Sequence, residues 1–208
     1  MDQEYFNSRY SFDNSRKKVW LAIDEYLQRY VPAGSTVLDV GAGYGDFINQ
    51  IKAAKKYATD LNPDVAKFCN PDVTFINSGI NGINLPAGSI NAIFASNLLE
   101  HLEKPELDAF FAQAQKLLAP GGRIILIQPN IRYCYRTYWD DFTHVKAFSD
   151  VSLKDLVASK GFKIVKVEKR FLPFSFKSIL PKSYWLTKFY LSLPWKPMAK
   201  QMLIIAEK

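Results

Sequence analysis

Residues 37–46, VLDVGAGYGD, run an apolar strand pattern straight into glycines at every second position: Gly41, Gly43 and Gly45. Such backbone freedom directly after a buried strand has a specific use. Glycine lets the chain turn sharply and lets a ligand approach the main chain with no Cβ in the way. Asp60, 19 residues beyond Gly41, closes a second strand-like segment, residues 56–60. In a parallel sheet that end lies beside the glycine turn, where a carboxylate accepts two hydrogen bonds from a ribose diol. Strand, turn and acidic partner together predict a site for a nucleotide-like ligand. The dinucleotide fingerprint G-x-G-x-x-G fails here, because Asp46 stands at its third glycine. Carboxylates at Asp39 and Asp46 serve a pyrophosphate poorly and suit a ligand that carries an ammonium and a sulfonium.

Around this turn, strand-like and helix-like segments alternate, the pattern of a sheet with crossover helices. The spacing of Val19, Ile23, Tyr26, Leu27 and Tyr30 predicts a first helix over 15–30. Strands are predicted over 36–40, 56–60, 73–76, 90–95, 123–128, 162–168 and 202–207. A helix is predicted after Gly45, with Phe47, Ile48 and Ile51 inward, and another from Asn62-Pro63-Asp64. Two more are predicted over 104–118, stopped by Pro120-Gly121-Gly122, and over 152–160, capped by Gly161. The connection 129–149 is too long to be routine, and such loops often carry function. No repeat interrupts the 208 residues, of which 48% are hydrophobic, enough for one domain with a substantial core.

VLDVGAGYG resembles motif I of the class I S-adenosylmethionine-dependent methyltransferases. The resemblance continues in order through KYATD, INAIFASNLLEHL and KLLAPGGRIILIQPN, closely over residues 35–130 and more loosely over 140–168. It implies an α/β fold, a Rossmann-like three-layer sandwich whose seven-stranded sheet is mostly parallel with an antiparallel last strand. It implies a single domain over 1–208, with a helical cap at 1–34, a cofactor-binding core at 35–130 and acceptor-side loops and cap at 131–200. The implied cofactor is S-adenosyl-L-methionine. Asp39, Gly41, Gly43 and Gly45 would surround its methionine part, Asp60 would bind the ribose, and Leu61 would lie beside the adenine. Ser78 and Gly79 would line the adenine edge, where the family often has an acidic residue and this chain reads NSGI. Ser96 and Asn97 would face the amino group. Asn97 also reads as a simple helix N-cap.

Methyl transfer to a hydroxyl or amine needs a proton acceptor near the sheet's carboxyl edge. The chain has two histidines. His101, in NLLEHL, is a common motif element to which the resemblance gives a structural role. His144 lies in YWDDFTHVKAF, which resembles a W-x-D-x-T-H-x-x-x-F-S pattern of a subset of these enzymes found with sugar and cell-surface polysaccharide biosynthesis. Asp140 or Asp141 would orient its imidazole, so His144 with Asp141 forms the candidate catalytic pair. The alternative is that Thr143-His144 anchors the loop to backbone. Tyr133, Tyr135, Tyr138 and Trp139 are candidates for an acceptor pocket, and Tyr5, Phe6, Arg9 and Tyr10 for a cover over the cofactor. No metal is expected, since Cys69 and Cys134 match no metal or redox spacing. The expected reaction is methylation of oxygen on a small or carrier-linked, sugar- or lipid-like acceptor. A non-catalytic cofactor-binding scaffold or partner subunit, and an NAD-dependent oxidoreductase, are the alternatives.

The net charge of +7 comes from the last third, where residues 146–208 carry 13 Lys and Arg against 4 Asp and Glu. Within 171–197, eight aromatics are interleaved with Lys177, Lys182, Lys188 and Lys196. That composition suits a peripheral membrane contact, a cover over a lipid-carried acceptor, or a plain cap on the sheet. Nucleic acid is disfavoured, because relatives that methylate DNA amino groups carry N/D-P-P-Y/F after strand four, where this chain reads SNLL. Neither a secretory h-region nor an apolar run of transmembrane length is seen, and two distant thiols suit a reducing compartment. A cytoplasmic protein with a membrane-associated face is therefore expected.

Overall fold

The computed structural model describes residues 16–173 and 182–208. Tyr5, Phe6, Arg9 and Tyr10, and Phe174, Phe176 and Lys177 of the basic aromatic stretch, lie outside the described residues. Seven strands form one sheet: β1 (Thr36–Val40), β2 (Lys55–Asp60), β3 (Val73–Asn77), β4 (Ile90–Ser96), β5 (Leu118–Pro129), β6 (Lys163–Pro173) and β7 (Ala199–Glu207). Their order is β3-β2-β1-β4-β5-β7-β6. β1 to β5 pair in parallel, and β7 runs antiparallel to both β5 and β6. The helices are α1 (Arg16–Leu27), α2 (Lys104–Leu117), the single turn α3 (Ile131–Cys134), α4 (Asp150–Ser159) and α5 (Tyr184–Ser192).

Alternation along the strands makes two cores, one on each face of the sheet. Leu38, Val40, Ile93, Ala95, Ile124, Leu126 and Ile204 pack with Phe110, Phe111 and Leu117 of α2 and with Leu153 and Val157 of α4. Val37, Ala92, Phe94, Ile125, Ile127, Leu203 and Ile205 pack with Val19, Ile23 and Leu27 of α1 and with Leu191 of α5. The result is three layers. The parallel register pairs Val40 with Thr59 and Asp60 with Asn77, so β1, β2 and β3 finish along one edge, with the end of β4 beside them. Crossover connections leave a crevice at such an edge. The lysine-rich β6 lies at the other side of the sheet, where charged side chains discourage pairing with a further strand.

Several elements depart from the sequence pattern. No regular helix follows Gly45. Asn49 N–H donates to Gly45 O (3.0 Å) and Ile51 N–H to Phe47 O (3.1 Å), but Gln50 N–H reaches back only three residues, to Phe47 O (3.1 Å). Gly43 and Gly45 have φ of +53° and +66°, which breaks the right-handed path at its start. Phe47, Ile48 and Ile51 are buried all the same. Asn62-Pro63-Asp64 opens only a short 3₁₀ helix, Pro63–Phe68, in which Asn62 Oδ1 accepts from Asp64 N–H at 2.9 Å. Pro120-Gly121-Gly122 lies inside β5, beside the register shift between Ile90 and Ala92 of β4. β6 and β7 outrun their apolar alternation because they pair with each other as far as Pro173 and Ala199, through further register shifts. Among the described residues no helix is long and apolar enough to cross a membrane.

Candidate active site

The turn after β1 is tied to β2 by its own amides. Gly41 N–H and Ala42 N–H both donate to Thr59 O, at 2.8 and 3.1 Å. Gly43 N–H donates to Asp60 Oδ2 at 3.1 Å, and Asn62 N–H to Asp60 Oδ1 at 2.9 Å. Two amides thus fix the Asp60 carboxylate at the sheet edge, and each oxygen keeps a lone pair for a ligand. The glycines differ in what they make room for. A Cβ on Gly41 would meet Leu98 Cδ1 at 3.2 Å, and one on Gly45 would meet Asn49 Nδ2 at 2.8 Å. Among the described residues, a Cβ on Gly43 would meet nothing within 4 Å. The protein therefore packs against Gly41 and Gly45 but leaves Gly43 facing open space.

A cavity of about 720 Å³ opens over this edge. Gly41, Gly43, Asp60, Leu61, Ser78, Gly79, Ser96 and Asn97 all line it. Leu61 is 60% exposed at its rim, a large apolar side chain presented outward. Ser78 N–H donates to Asp60 O at 3.0 Å, and Ser78 O accepts from Thr59 Oγ1, which joins the exit of β3 to the end of β2. Asn97 has φ +49°. A non-glycine residue is held in that region only when its surroundings over-determine it. Here Asn97 N–H donates to Ile127 O (2.9 Å), and Asn97 Oδ1 accepts from Gln201 Nε2 (2.7 Å). The cap of the following 3₁₀ turn, Leu99–His101, is Leu98, so the N-cap alternative for Asn97 is replaced by a bent wall residue.

Five residues expected at the site, Asp39, Gly45, Asp46, Asp141 and His144, are not among those that line the cavity. Asp39 is buried beneath the turn. Burial first, then the carboxylates of Asp60 and Asp46, push its carboxyl well above the usual range. Gly45 is packed as described. Asp46 is engaged by Arg16, at 2.5 Å from Nη2 and 3.1 Å from Nε, so its charge is answered by the protein itself. His144 is buried, and its Nδ1–H donates to Tyr138 O at 2.7 Å. Asp141 Oδ1 accepts from Thr143 N–H (3.1 Å) and Thr143 Oγ1 (2.7 Å). Through that oxygen the carboxylate orients Thr143 rather than the imidazole.

The loop after β5 sends Phe142, 79% exposed, and Thr143 to the cavity wall, where His101 joins them. His101 Nδ1 lies 2.9 Å from Thr143 Oγ1 and 3.2 Å from Thr143 O. Burial, and then the nearby His144, hold His101 below the usual imidazole range. The two rings are 4.9 Å apart. Beside them Glu100 is buried, and burial pushes its carboxyl up to about 8. Ile80, Leu98, Leu102 and Phe110 complete the apolar part of the lining. The sequence reading missed His101 and Phe142 as lining residues. The NLLEHL motif signals His101, but nothing local tells which way its ring faces.

A doubly wound sheet with a glycine turn, an amide-held carboxylate at the end of β2 and a cavity between them defines a class I, S-adenosylmethionine-type α/β domain. The chain belongs to the methyltransferase family: residues 14–167 match the family described as "Methyltransferase domain". It is similar to malonyl-[acyl-carrier protein] O-methyltransferase of Methylococcus capsulatus, with 26% identity over 166 residues, covering 72% of this chain and 59% of that protein. It is also similar to ubiquinone biosynthesis O-methyltransferase of Xanthomonas axonopodis pv. citri, with 32% identity over 119 residues, covering 49% of this chain and 46% of the relative. The chain thus spans less than two thirds of the length of these curated relatives. Its fold is shared with a SAM dependent methyltransferase from Archaeoglobus fulgidus, at a TM-score of 0.66 and 22% identity, covering 91% of this chain and 94% of that one.

Proposed function

We propose that this domain binds S-adenosyl-L-methionine across the glycine turn and transfers its methyl group to oxygen of a small or carrier-linked acceptor. The observation that carries this reading is the single cavity shared by Gly43, Asp60 and the His101–Thr143 wall. The residues fit the cofactor, since Gly43 leaves its Cβ space open and Asp60 is pre-set by two amides. When bound, the cofactor supplies a methyl on a sulfonium, already activated for in-line displacement. The chain's own task is to hold and align. Asp60 grips the ribose hydroxyls, Leu61 covers the base, Ser78 and Gly79 border it, and the Gly41–Gly43 backbone with Ser96 and Asn97 takes the amino-acid end. Asp39 and Gly45 support the turn from beneath. Asp141 and His144 position the acceptor wall, Asp141 through Thr143 and His144 through Tyr138 O.

Oxygen is favoured because both curated relatives described above are named O-methyltransferases. The test is calorimetry with S-adenosylhomocysteine and, separately, NAD, followed by transfer of labelled methyl to hydroxyl and carboxyl acceptors. Binding of S-adenosylhomocysteine alone, with label recovered as an O-methyl group, is the expected result. NAD binding without S-adenosylhomocysteine binding would return the site to the dinucleotide reading. Cofactor binding with label transferred to no acceptor would leave a scaffold.

A second reading concerns the tail. Tyr184 Oη and Lys188 Nζ clamp α5 to Glu25 of α1, at 2.7 and 2.9 Å. The neighbouring face of α5 presents Trp185, 73% exposed, and Phe189, 62% exposed, one turn apart, with Trp195 and Met198 exposed beyond the helix. We propose that an anionic bilayer surface covers these aromatics, since the last third of the chain carries the basic surplus such a surface attracts. Co-sedimentation should show binding to anionic vesicles that weakens in high salt, little binding to zwitterionic ones, and loss of binding in Trp185→Ser/Phe189→Ser. A parent protein that stays in the supernatant with both vesicle types would end this idea.

A further inference from the structure

We propose that Glu100, His101 and His144 hold a divalent first-row transition-metal ion in the wall of the cavity, and that this ion receives the acceptor oxygen. The inference deepens the methyl-transfer reading and names how its acceptor is held. One ligand atom from each of the three residues lies within 4.8 Å of the others. An ion with bonds of about 2.0–2.2 Å would draw three such atoms together by a modest side-chain adjustment.

Hydrogen bonding fixes the nitrogen each imidazole offers. His144 Nδ1 faces Tyr138 O at 2.7 Å, and a carbonyl only accepts, so Nδ1 carries the proton. His101 Nδ1 faces Thr143 O and Thr143 Oγ1, and the Oγ1 proton is directed to Asp141. Nδ1 is again the donor. Both rings therefore present an unprotonated Nε2, oriented by a backbone carbonyl behind it, the arrangement that metal-binding histidines use. The second observation is independent. Glu100 is 1% exposed, and among the described residues neither of its carboxylate oxygens has a hydrogen-bond partner. A buried carboxylate without partners is costly and calls for an explanation. A cation shared with two neutral imidazoles supplies one. Two imidazoles and one carboxylate form a ligand set for zinc, iron(II) or manganese, with coordination positions left open.

His101 lines the cavity and Glu100 and His144 lie behind it, so the open positions face the acceptor side. An acceptor hydroxyl coordinated there loses its proton to water more easily. Its oxygen then forms the bond to the methyl carbon, and the carbon–sulfur bond breaks with its electron pair left on sulfur.

The test titrates chelator-treated protein with Co²⁺ and reads its visible d–d bands. One equivalent should bind, without the intense thiolate charge-transfer band that Cys69 or Cys134 would give. Glu100→Gln and His144→Asn should each weaken binding at least tenfold, and Co²⁺ should raise the melting temperature of the parent but not of Glu100→Gln. Absence of stoichiometric binding by folded parent protein, a thiolate spectrum, or parent-like binding by the two variants would overturn the site. Should neither variant fold, the parent's stoichiometry and spectrum decide, with Cys69→Ser expected to bind as the parent does. S-adenosylhomocysteine calorimetry on the metal-free parent separates the two readings: cofactor binding there leaves methyl transfer standing even if the metal fails.

Discussion

Asp60→Ala is expected to weaken S-adenosylhomocysteine binding by at least a hundredfold while the protein stays folded. Hydrogen bonds to a charged group are worth about 1.5–3 kcal/mol each. Two ribose hydroxyls on one carboxylate therefore amount to roughly 3–6 kcal/mol, and each 1.4 kcal/mol is about tenfold in affinity. The same carboxylate accepts from Gly43 N–H and Asn62 N–H, so its loss also releases the glycine turn from β2. That second effect falls on stability. A loss of about 1–2 kcal/mol should lower the melting temperature by roughly 2–8 °C in a domain of this size. Asp60→Asn separates the contributions, because its amide oxygen still accepts one backbone bond but lacks the charge. Its affinity should fall between those of parent and alanine variant. Calorimetry on all three proteins, with circular dichroism to show folding, makes the measurement. Parent-like affinity in a folded Asp60→Ala would remove the ribose assignment and with it the choice of ligand.

The sequence was most informative where the relevant geometry is local or follows directly from sheet topology. Val37 to Val40 is a short apolar run ended by glycine, and β1 forms there because no competing pattern exists. Asp60 was legible because parallel pairing of β1 with β2 necessarily brings its end beside Gly41. Where a left-handed residue intervenes, periodicity misleads. Phe47, Ile48 and Ile51 have helical spacing and are buried as predicted, yet Gly43 and Gly45 at positive φ leave a string of turns. The acceptor wall was least legible, because its residues meet only through tertiary contacts. Whether His101 or His144 lines the cavity depends on how the loop folds back, with Tyr138 Oη donating to Lys146 O and Val145 N–H to Glu100 O. Asn97 is held by Gln201, 104 residues away. No window of sequence contains both.

The glycines allow a sharper experiment than deletion of a charged group, because two of them should fail in opposite ways. Alanine at either position takes on a left-handed backbone, at a cost of about 1–2 kcal/mol. At Gly45, with φ +66°, the new methyl also presses on Asn49 Nδ2. Asn49 cannot yield without loss, since its Nδ2 donates to Phe68 O and its Oδ1 accepts from Asn70 N–H, both at 2.8 Å. Displacing it loosens the tie between the turn and residues 68–70, so Gly45→Ala should be the less stable of the two variants. At Gly43, with φ +53°, the methyl meets none of the described residues and projects into the cavity region assigned to the cofactor. Gly43→Ala should therefore keep most of its melting temperature and lose at least tenfold in S-adenosylhomocysteine affinity. Gly45→Ala should show the larger fall in melting temperature and, measured below its transition, the smaller change in affinity. A purely structural turn predicts the other pattern, with both variants losing stability and Gly43→Ala binding as the parent does. That second pattern would mean the open space over Gly43 is not where the ligand approaches the main chain.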